Sequence, residues 1–457
     1  MTTNLPFLQN ELMDVMRLFN GCTQDVNHVL SYADGVYRNE FEVDGVSAAF
    51  VDTMPTANEI EYKRYAKRFA KLGLYKLLSE KYAISMPWGA LTGIRPTKLA
   101  YMEKEAGRDY HPLFSDMGVS EENIRLVDDI LREQEGIYMR KDGCTDLFLS
   151  IPFCPSKCVY CSFITADIRF TQKYLDEYMD RMLAELDGSA DLIGELKSVY
   201  IGGGTPLVLD EEKLERVLRA VAPLRKNGCE YTVEAGRPDV FTEKKLELLK
   251  EYGVTRICVN PQSLVDATLE RIGRKHTAKD IYRAYDMAKK YGFDINMDLI
   301  AGLTGETYDE FVYSLREAIA MDAENITVHS LCLKSGAKLK EEVDRLDGGE
   351  ISRMILTSRR LLREAGYAPY YMYRQKYQAG NQENTGWTKP GKACVYNVNI
   401  MEEITDNLAV GANAISKKVY TGENRIERYA SPKDFPTYFD KIGEILKKKH
   451  ALFGKEG

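Results

Sequence analysis

The sequence predicts an α/β protein centred on a partial, TIM-like (β/α)6 barrel, with an N-terminal α+β domain before it and a small C-terminal α+β extension after it. Two observations carry that prediction. From Asp146 onward, short β-rich apolar runs alternate six times with amphipathic stretches of helical period. That rhythm lays helices over a parallel sheet. After about Gly366 it stops, and a polar, glycine- and aromatic-rich stretch takes over.

The six expected strands are residues 147–151, 198–201, 231–234, 256–260, 295–300 and 326–331. The helical segments between and after them are 172–187, 211–222, 243–252, 266–272, 279–291 and 308–321. Six units are two short of the closed eightfold barrel, so an open one is expected. The expected domains are therefore 1–145, 146–365 and 366–457. Residues 1–145 are rich in tyrosine and charge, with short strands within 41–51 and helix within 59–81. Their role is open between capping the barrel and docking an electron donor. The tail reads as the polar stretch 370–396, a small apolar segment 407–416 and a charged terminal helix.

A net charge of −7 and a pI near 5.6 give no broad field for nucleic acid or an anionic membrane surface. No run approaches 18 apolar residues, so no membrane span is expected. Residues 1–20 lack a basic segment followed by an apolar run, so a cytoplasmic protein is expected. The nine cysteines are odd in number and mostly scattered, which is no disulfide framework. Cys258 and Cys332 lie in apolar runs and read as small buried hydrophobes.

Cys154, Cys158 and Cys161 are different. They form C-x3-C-x2-C in the loop after the first barrel strand, LFLSIPFCPSKCVYCSF. Thiolates are soft ligands for iron–sulfur or zinc. A structural zinc takes four protein ligands, and no second cysteine or histidine pair lies nearby. Three thiolates on one loop suit a [4Fe–4S] cluster with one iron open. Tyr160 and Phe163 are placed to pack beside it.

The second strand runs into Gly202-Gly203-Gly204-Thr205-Pro206. Glycines allow positive φ and close backbone approach, and a plain turn needs only one of them. Further polar residues fall at the same ends of later strands: Glu234, Gln262, Arg274 and Asp298. In a barrel those ends build the site, and an acid such as Asp298 inside the apolar run DLIAGL is costly without a partner. Arg374, Lys376, Lys389 and Lys392, with Tyr371, Tyr373, Tyr377 and Trp387, lie in the polar aromatic stretch after the barrel. Arg95 could start a helix.

The strand followed by IPF and C-x3-C-x2-C resembles the radical S-adenosylmethionine (SAM) superfamily. The resemblance implies a [4Fe–4S] cluster on Cys154, Cys158 and Cys161, with SAM chelating the open iron and yielding a 5′-deoxyadenosyl radical. No protein side chain is thereby assigned as catalyst. GGGTP, by the same resemblance, receives the methionine amino group. Phe148, Tyr160, Phe163, Gly202, Gly203, Gly204, Thr205, Glu234, Gln262, Arg274 and Asp298 would hold the cofactor. IPFC, GGGTP, the Glu234 strand, VNPQS, RIGR and DLI-GL stand in the order seen in oxygen-independent coproporphyrinogen III oxidases, over residues 146–335. WGALTGIRPTKL, GRPD, YMYRQK, NQEN and KPGK are similar to the HemZ branch.

That family implies oxidative decarboxylation of coproporphyrinogen III propionates to vinyl groups, with a flavodoxin- or ferredoxin-type electron donor. Tyr373, Arg374, Lys389 and Lys392 are then expected at the tetrapyrrole. The sequence departs from the better-known dehydrogenases in three places. Phe163 stands where they have a fourth cysteine, Phe148 where they have a stacking tyrosine, and Ser150 where they have a histidine. The aromatic at 163 is shared with the haem-chaperone branch, and His329 is the position best placed for an axial haem ligand. Haem binding or delivery without decarboxylation, or radical chemistry on another tetrapyrrole, therefore stay open.

Overall fold

The computed structural model describes residues 1–19, 25–92, 95–161, 165–225, 228–332, 348–375, 382–423 and 425–454. They divide into Met1–Asp128 with Arg374–Glu383, and Asp129–Tyr373 with Asn384–Gly457.

In the first unit, strands β1 (Thr2–Thr3), β2 (Val26–Ala33), β3 (Val36–Val43) and β4 (Val46–Thr53) form one sheet in that order. Asp34-Gly35 and Asp44-Gly45 join β2 to β3 and β3 to β4, with φ of 51°, 79°, 48° and 79°. Two consecutive positive φ values match the twist of a two-residue hairpin, which is why each turn is Asp-Gly. The strands expected within 41–51 thus reach from 36 to 53 and are split by one of these turns. Along β3 burial alternates strictly, with Tyr37, Asn39, Phe41 and Val43 inside. Helix Glu59–Tyr82 begins where the Asn58 side chain accepts the Glu61 amide. Its Gly73 leaves room for the rings of Phe41 and Phe50, which a Cβ would meet at 2.9 and 3.0 Å.

The second unit is built on one eleven-stranded sheet. β5 (Cys144–Ile151) leads to two short strands, β6 (Phe153–Cys154) and β7 (Ala166–Asp167), which pair with each other. Then follow β8 (Glu195–Gly203), β9 (Glu230–Gly236), β10 (Arg256–Val259), β11 (Asp294–Ala301) and β12 (Asn325–Ser330). β5, β8, β9, β10, β11 and β12 are neighbours in that order and all parallel. These are the six expected strands, and the sheet stays open.

The first five are followed by helices near the expected places, Leu175–Asp187, Glu211–Val221, Glu243–Glu251, Asp266–Arg271 with Ala278–Lys290, and Tyr308–Ala320, so two of the six expected helices follow β10; the helix described after β12, Gly348–Glu364, was not expected. Helix Glu211–Val221 shows why they cover the sheet, since Leu214, Val217, Leu218 and Val221 form one buried stripe.

Residues 366–457 extend both edges. β13 (Ala368–Tyr373) and β14 (Asn384–Thr388) are antiparallel to each other, and β14 lies antiparallel beside β12. At the other edge β15 (Asp406–Val410) runs parallel to β5 and leads to the antiparallel β16 (Ile415–Tyr420) and β17 (Arg425–Ala430). Helix Val395–Glu402 carries Tyr396 against Tyr200, with ring centroids 4.4 Å apart. Terminal helix Ile442–Phe453 is fixed by a buried ion pair: Lys449 Nζ lies 2.5 Å from Glu185 Oε1 and 2.6 Å from the Ala409 carbonyl. Among the described residues no helix is long and apolar enough to cross a membrane.

Candidate functional site

The loop that leaves β5 is tied down on three sides. The Thr205 amide donates to the Phe153 carbonyl at 2.8 Å, and its hydroxyl to Cys154 Sγ at 3.5 Å. The Val159 amide donates to Ile272 at 3.2 Å, and the Cys161 amide to Cys158 at 3.2 Å. Arg237, after β9, donates to the Ser156 hydroxyl at 2.7 Å and to its carbonyl at 3.3 Å. Asp239 locks the guanidinium in place, at 2.9 Å from Nε and 2.7 Å from Nη2.

A second buried arginine, Arg274, bonds the Asn260 and Pro261 carbonyls and faces the Tyr160 phenol and the Cys158 thiol. Burial works against its charge, but Tyr160 and Cys158 outweigh it and raise its pKa. Burial pushes the Cys154 thiol up to about 11, with the Thr205 hydrogen bond opposing it. Arg237 is already paired with Asp239, so Arg274 is the buried guanidinium that favours a bound anion at the loop.

The three glycines have separate reasons. A Cβ on Gly204 would sit 2.5 Å from the Phe153 carbonyl oxygen and 2.7 Å from that of Ile151, so the strand end and the loop can touch only without one. Gly203 has φ +100° and turns its amide to Glu234 Oε2 at 3.2 Å. Gly202 faces the same carboxylate.

Glu234 also accepts the Tyr200 hydroxyl at 2.6 Å. Burial, helped by the nearby Asp298, raises its pKa to about 7. Asp298 goes the other way. Burial raises it, but His329, Asn296 and Thr327 more than compensate, and its pKa is lowered. Two carboxyl groups with opposite shifts at one end of a sheet are a functional-site signature. Gln262 holds φ +66°, strained for a non-glycine, between Asp298 and Ile300. Its Oε1, Asn260 Oδ1 and Arg274 Nε are buried without a hydrogen-bond partner in the protein. Buried orphans of this kind call for a ligand or water.

The Radical SAM superfamily model matches residues 148–318, the part of the chain that holds this loop and these strand ends. The oxygen-independent coproporphyrinogen-III oxidase-like protein HemZ of Bacillus subtilis is 34% identical over 414 residues, covering 86% of this chain and 82% of that protein. This chain belongs to the radical SAM superfamily, in its HemZ-like branch.

The heme chaperone HemW of Bacillus subtilis is 36% identical over 193 residues, 41% of this chain and 50% of that one. The HemW of Escherichia coli is 28% identical over 281 residues, 60% of this chain and 70% of that one. Among solved structures, coproporphyrinogen III oxidase (HemN) from Escherichia coli shares the fold, with a TM-score of 0.55 and 19% identity over 68% of this chain and 71% of that one. Radical SAM proteins carry a [4Fe–4S] cluster and SAM as cofactors.

The donor set suits both groups. Three thiols lie on one loop, two buried cations face it, and unpartnered donors and acceptors stand at Arg274, Gln262 and Asn260. Among the described residues no three cysteine, histidine or acidic side chains already converge in a metal-binding arrangement.

The expected site residues separate into three groups. Cys154, Cys158, Cys161, Tyr160, Gly202, Gly203, Gly204, Thr205, Glu234, Gln262, Arg274 and Asp298 all lie at the C-terminal ends of β5 to β11 or in the loops that follow. Phe148 lies one layer down, its ring 6.2 Å from Tyr200 and 6.3 Å from Tyr396. Phe163, Lys376 and Tyr377 lie outside the described residues.

The expected substrate residues do not stay together. Tyr373 reaches the site end, its hydroxyl 3.0 Å from His329 Nδ1. Arg374 belongs to the first unit, where it bonds the Leu91 carbonyl and lies over the Trp88 ring at 5.3 Å. Lys389 and Lys392 are at the opposite end of the sheet. Lys389 pairs with Asp322 at 2.5 Å and Lys392 with Asp294 at 2.8 Å, beside the N-terminal ends of β12 and β11.

Arg237, Ser156, Asp239, Tyr200 and Asn260 had no assigned role in the sequence reading. The available signal was Arg237-Pro-Asp239 directly after a strand, a spacing that lets aspartate orient arginine.

Proposed function

We propose that this protein catalyses oxygen-independent oxidative decarboxylation of coproporphyrinogen III, converting two propionates to vinyl groups. Cys154, Cys158 and Cys161 ligate the cluster, and Gly202–Thr205, Glu234, Gln262, Arg274 and Asp298 hold SAM. The observation that supports this most is the assembly of all of them at one end of one parallel sheet, in a chain aligned with HemZ over most of its length. Held by these residues, the cluster and SAM would supply the one-electron, hydrogen-abstracting chemistry that oxidative decarboxylation of a propionate requires. The substrate then loses carbon dioxide and one electron, which an acceptor removes. Arg274 offsets the negative charge of the thiolate-ligated cluster. The electron donor is of the flavodoxin or ferredoxin type.

The likeness to HemW favours a second reading, haem binding without decarboxylation. Against it, both ring nitrogens of His329 face other side chains, Tyr373 at 3.0 Å and Asp298 at 3.7 Å.

The test is anaerobic. The reconstituted protein receives dithionite, SAM and coproporphyrinogen III, and products are read by mass spectrometry. Loss of two carboxyl groups with 5′-deoxyadenosine formed, both abolished in Cys158→Ala, is expected. Deoxyadenosine without a porphyrinogen product, together with stoichiometric haem uptake in a spectral titration, would move the assignment to haem binding.

A further inference from the structure

Asp298 and His329 lie on adjacent strands, and Tyr373 beyond them on β13. Asp298 is one-fifth exposed, enough to reach a ligand and too little to be well hydrated. The groups facing it are Glu234 on β9, Cys258 on β10, Asn296 on its own strand, Thr327 and His329 on β12, and Tyr371 on β13. Of these, His329 alone can carry a positive charge. Glu234 adds a second carboxyl group, which by itself would drive Asp298 to take up a proton.

The imidazole is held for this task. Its Nε2 stands 3.7 Å from Asp298 Oδ1, and its Nδ1 3.0 Å from the Tyr373 hydroxyl. The next amide, Ser330, is fixed by Asn384 Oδ1 at 2.8 Å. Asn296 Nδ2 donates to the same Asp298 oxygen at 2.9 Å, and the Nε2 edge of the ring faces that carboxylate across 3.7 Å.

We propose that His329, braced by Tyr373, is a positioning residue that keeps the Asp298 carboxylate ionised and turned toward bound SAM, as acceptor for its hydroxyl or ammonium groups. The proposal rests on the reading of Asp298 as a cofactor residue. It needs no direct contact between His329 and the cofactor. The lowered pKa of Asp298, for which His329 is the main opposing cause to burial, agrees with it.

The test is equilibrium dialysis of radiolabelled SAM against the cluster-loaded protein, with iron per chain measured for each variant. Asp298→Asn and His329→Leu are expected to weaken binding about tenfold or more at pH 7, as loss of a partner to a buried charge does. His329→Gln keeps a donor and an acceptor and is expected within about threefold of wild type. Raising the pH from 6.5 to 8.5 restores affinity in His329→Leu, where Asp298 ionises later, and not in Asp298→Asn.

Wild-type affinity in His329→Leu beside weak binding in Asp298→Asn overturns the proposal and leaves the cofactor site standing. Wild-type affinity in Asp298→Asn removes the reading beneath it. Equal losses in His329→Leu and His329→Gln at every pH reduce His329 to a packing residue and also overturn it. Should His329→Leu fail to hold iron, Tyr373→Phe decides: weakened binding supports the proposal, and unchanged binding sinks it.

Discussion

Arg237 grips Ser156 twice, through its hydroxyl at 2.7 Å and its carbonyl at 3.3 Å, so the middle of the cysteine loop hangs from the end of β9. The guanidinium is only 4% exposed, and its far edge is fixed on Asp239. A lysine retains the charge but cannot fork between two partners. Arg237→Lys is therefore expected to lower iron and sulfide per chain after anaerobic reconstitution while the fold survives. Arg237→Ala also leaves Asp239 with only His276 beside it, at 3.7 Å, and is expected to cost about 2–4 kcal/mol in urea unfolding. Normal cluster content in Arg237→Lys would show that the loop holds itself.

The glycines of GGGTP are expected to fail in different ways. A Cβ on Gly204 meets backbone atoms of Phe153 and Ile151 at 2.5 to 2.9 Å, which cannot swing aside. Gly204→Ala should destabilise by about 1–3 kcal/mol, the usual cost of overpacking. A Cβ on Gly202 meets the Glu234 carboxylate at 2.6 Å and the Tyr200 ring at 2.9 Å, so it disturbs the pair that closes this end of the sheet. Gly202→Ala should therefore lose SAM affinity as well as lower the melting temperature, whereas Gly204→Ala acts first on the fold of the loop. Paired thermal melts and binding isotherms separate the two.

How much of this was legible in the sequence depends on the range of each interaction. The six barrel strands and their helices were legible because the alternation of period repeats within a few residues of chain. The strand-end positions of Glu234, Gln262 and Asp298 followed from that alternation. The two Asp-Gly turns at 34–35 and 44–45 are equally local signals, although the strands expected within 41–51 took no account of them. What was hidden needs the third dimension. Nothing local tells that β15 returns to pair with β5, where Asp406 lies opposite Thr145, or that Lys389 and Lys392 fall at the opposite end of the sheet from the cysteine loop. An antiparallel strand reverses the chain, so β14 delivers the residues after it to the N-terminal ends of the barrel strands.

Asp146 makes the pH dependence of stability testable. It is fully buried and accepts hydrogen bonds from Ser198 at 2.5 Å, Asn399 at 3.1 Å and Thr405. Burial raises its pKa from 3.8 to about 6, which those bonds only partly offset. Between these values the folded chain holds a proton that the unfolded chain has lost. Stability from this group is thus complete below the lower value and is lost as pH rises through the upper one. The loss is at most about 3 kcal/mol, at roughly 1.4 kcal/mol per pH unit. Asp146→Asn, which has no charge to bury, is expected to gain on wild type between pH 4 and 7 in urea midpoints. A constant difference would mean that Asp146 does not titrate in that window.

Lys449 and Glu185 are both fully buried, and the carboxylate also receives the Gly411 amide at 2.9 Å and the Tyr438 hydroxyl. Removing the cation leaves a buried carboxylate with neutral donors only. Lys449→Met is expected to destabilise by about 3–5 kcal/mol, far beyond the loss of a surface pair. Urea unfolding of the full chain measures it. A change under 1 kcal/mol, on the scale of an exposed pair, would show that this pair carries little of the fold's stability.

Lys389 and Lys392 test which end of the sheet receives an anionic substrate. Each is paired with an aspartate beside the start of a barrel strand, while the cysteine loop follows the end of one. Lys392 is 45% exposed and Lys389 is 26% exposed, so each pair is worth less than about 1 kcal/mol. The double variant Lys389→Ala/Lys392→Ala is therefore expected to fold normally and to leave KM for coproporphyrinogen III unchanged. A tetrapyrrole bound through its propionates must lie within reach of the radical source, and residues a full strand length away cannot hold it there. A raised KM at unchanged stability would place at least one propionate at the N-terminal end and require a different pose for the ring.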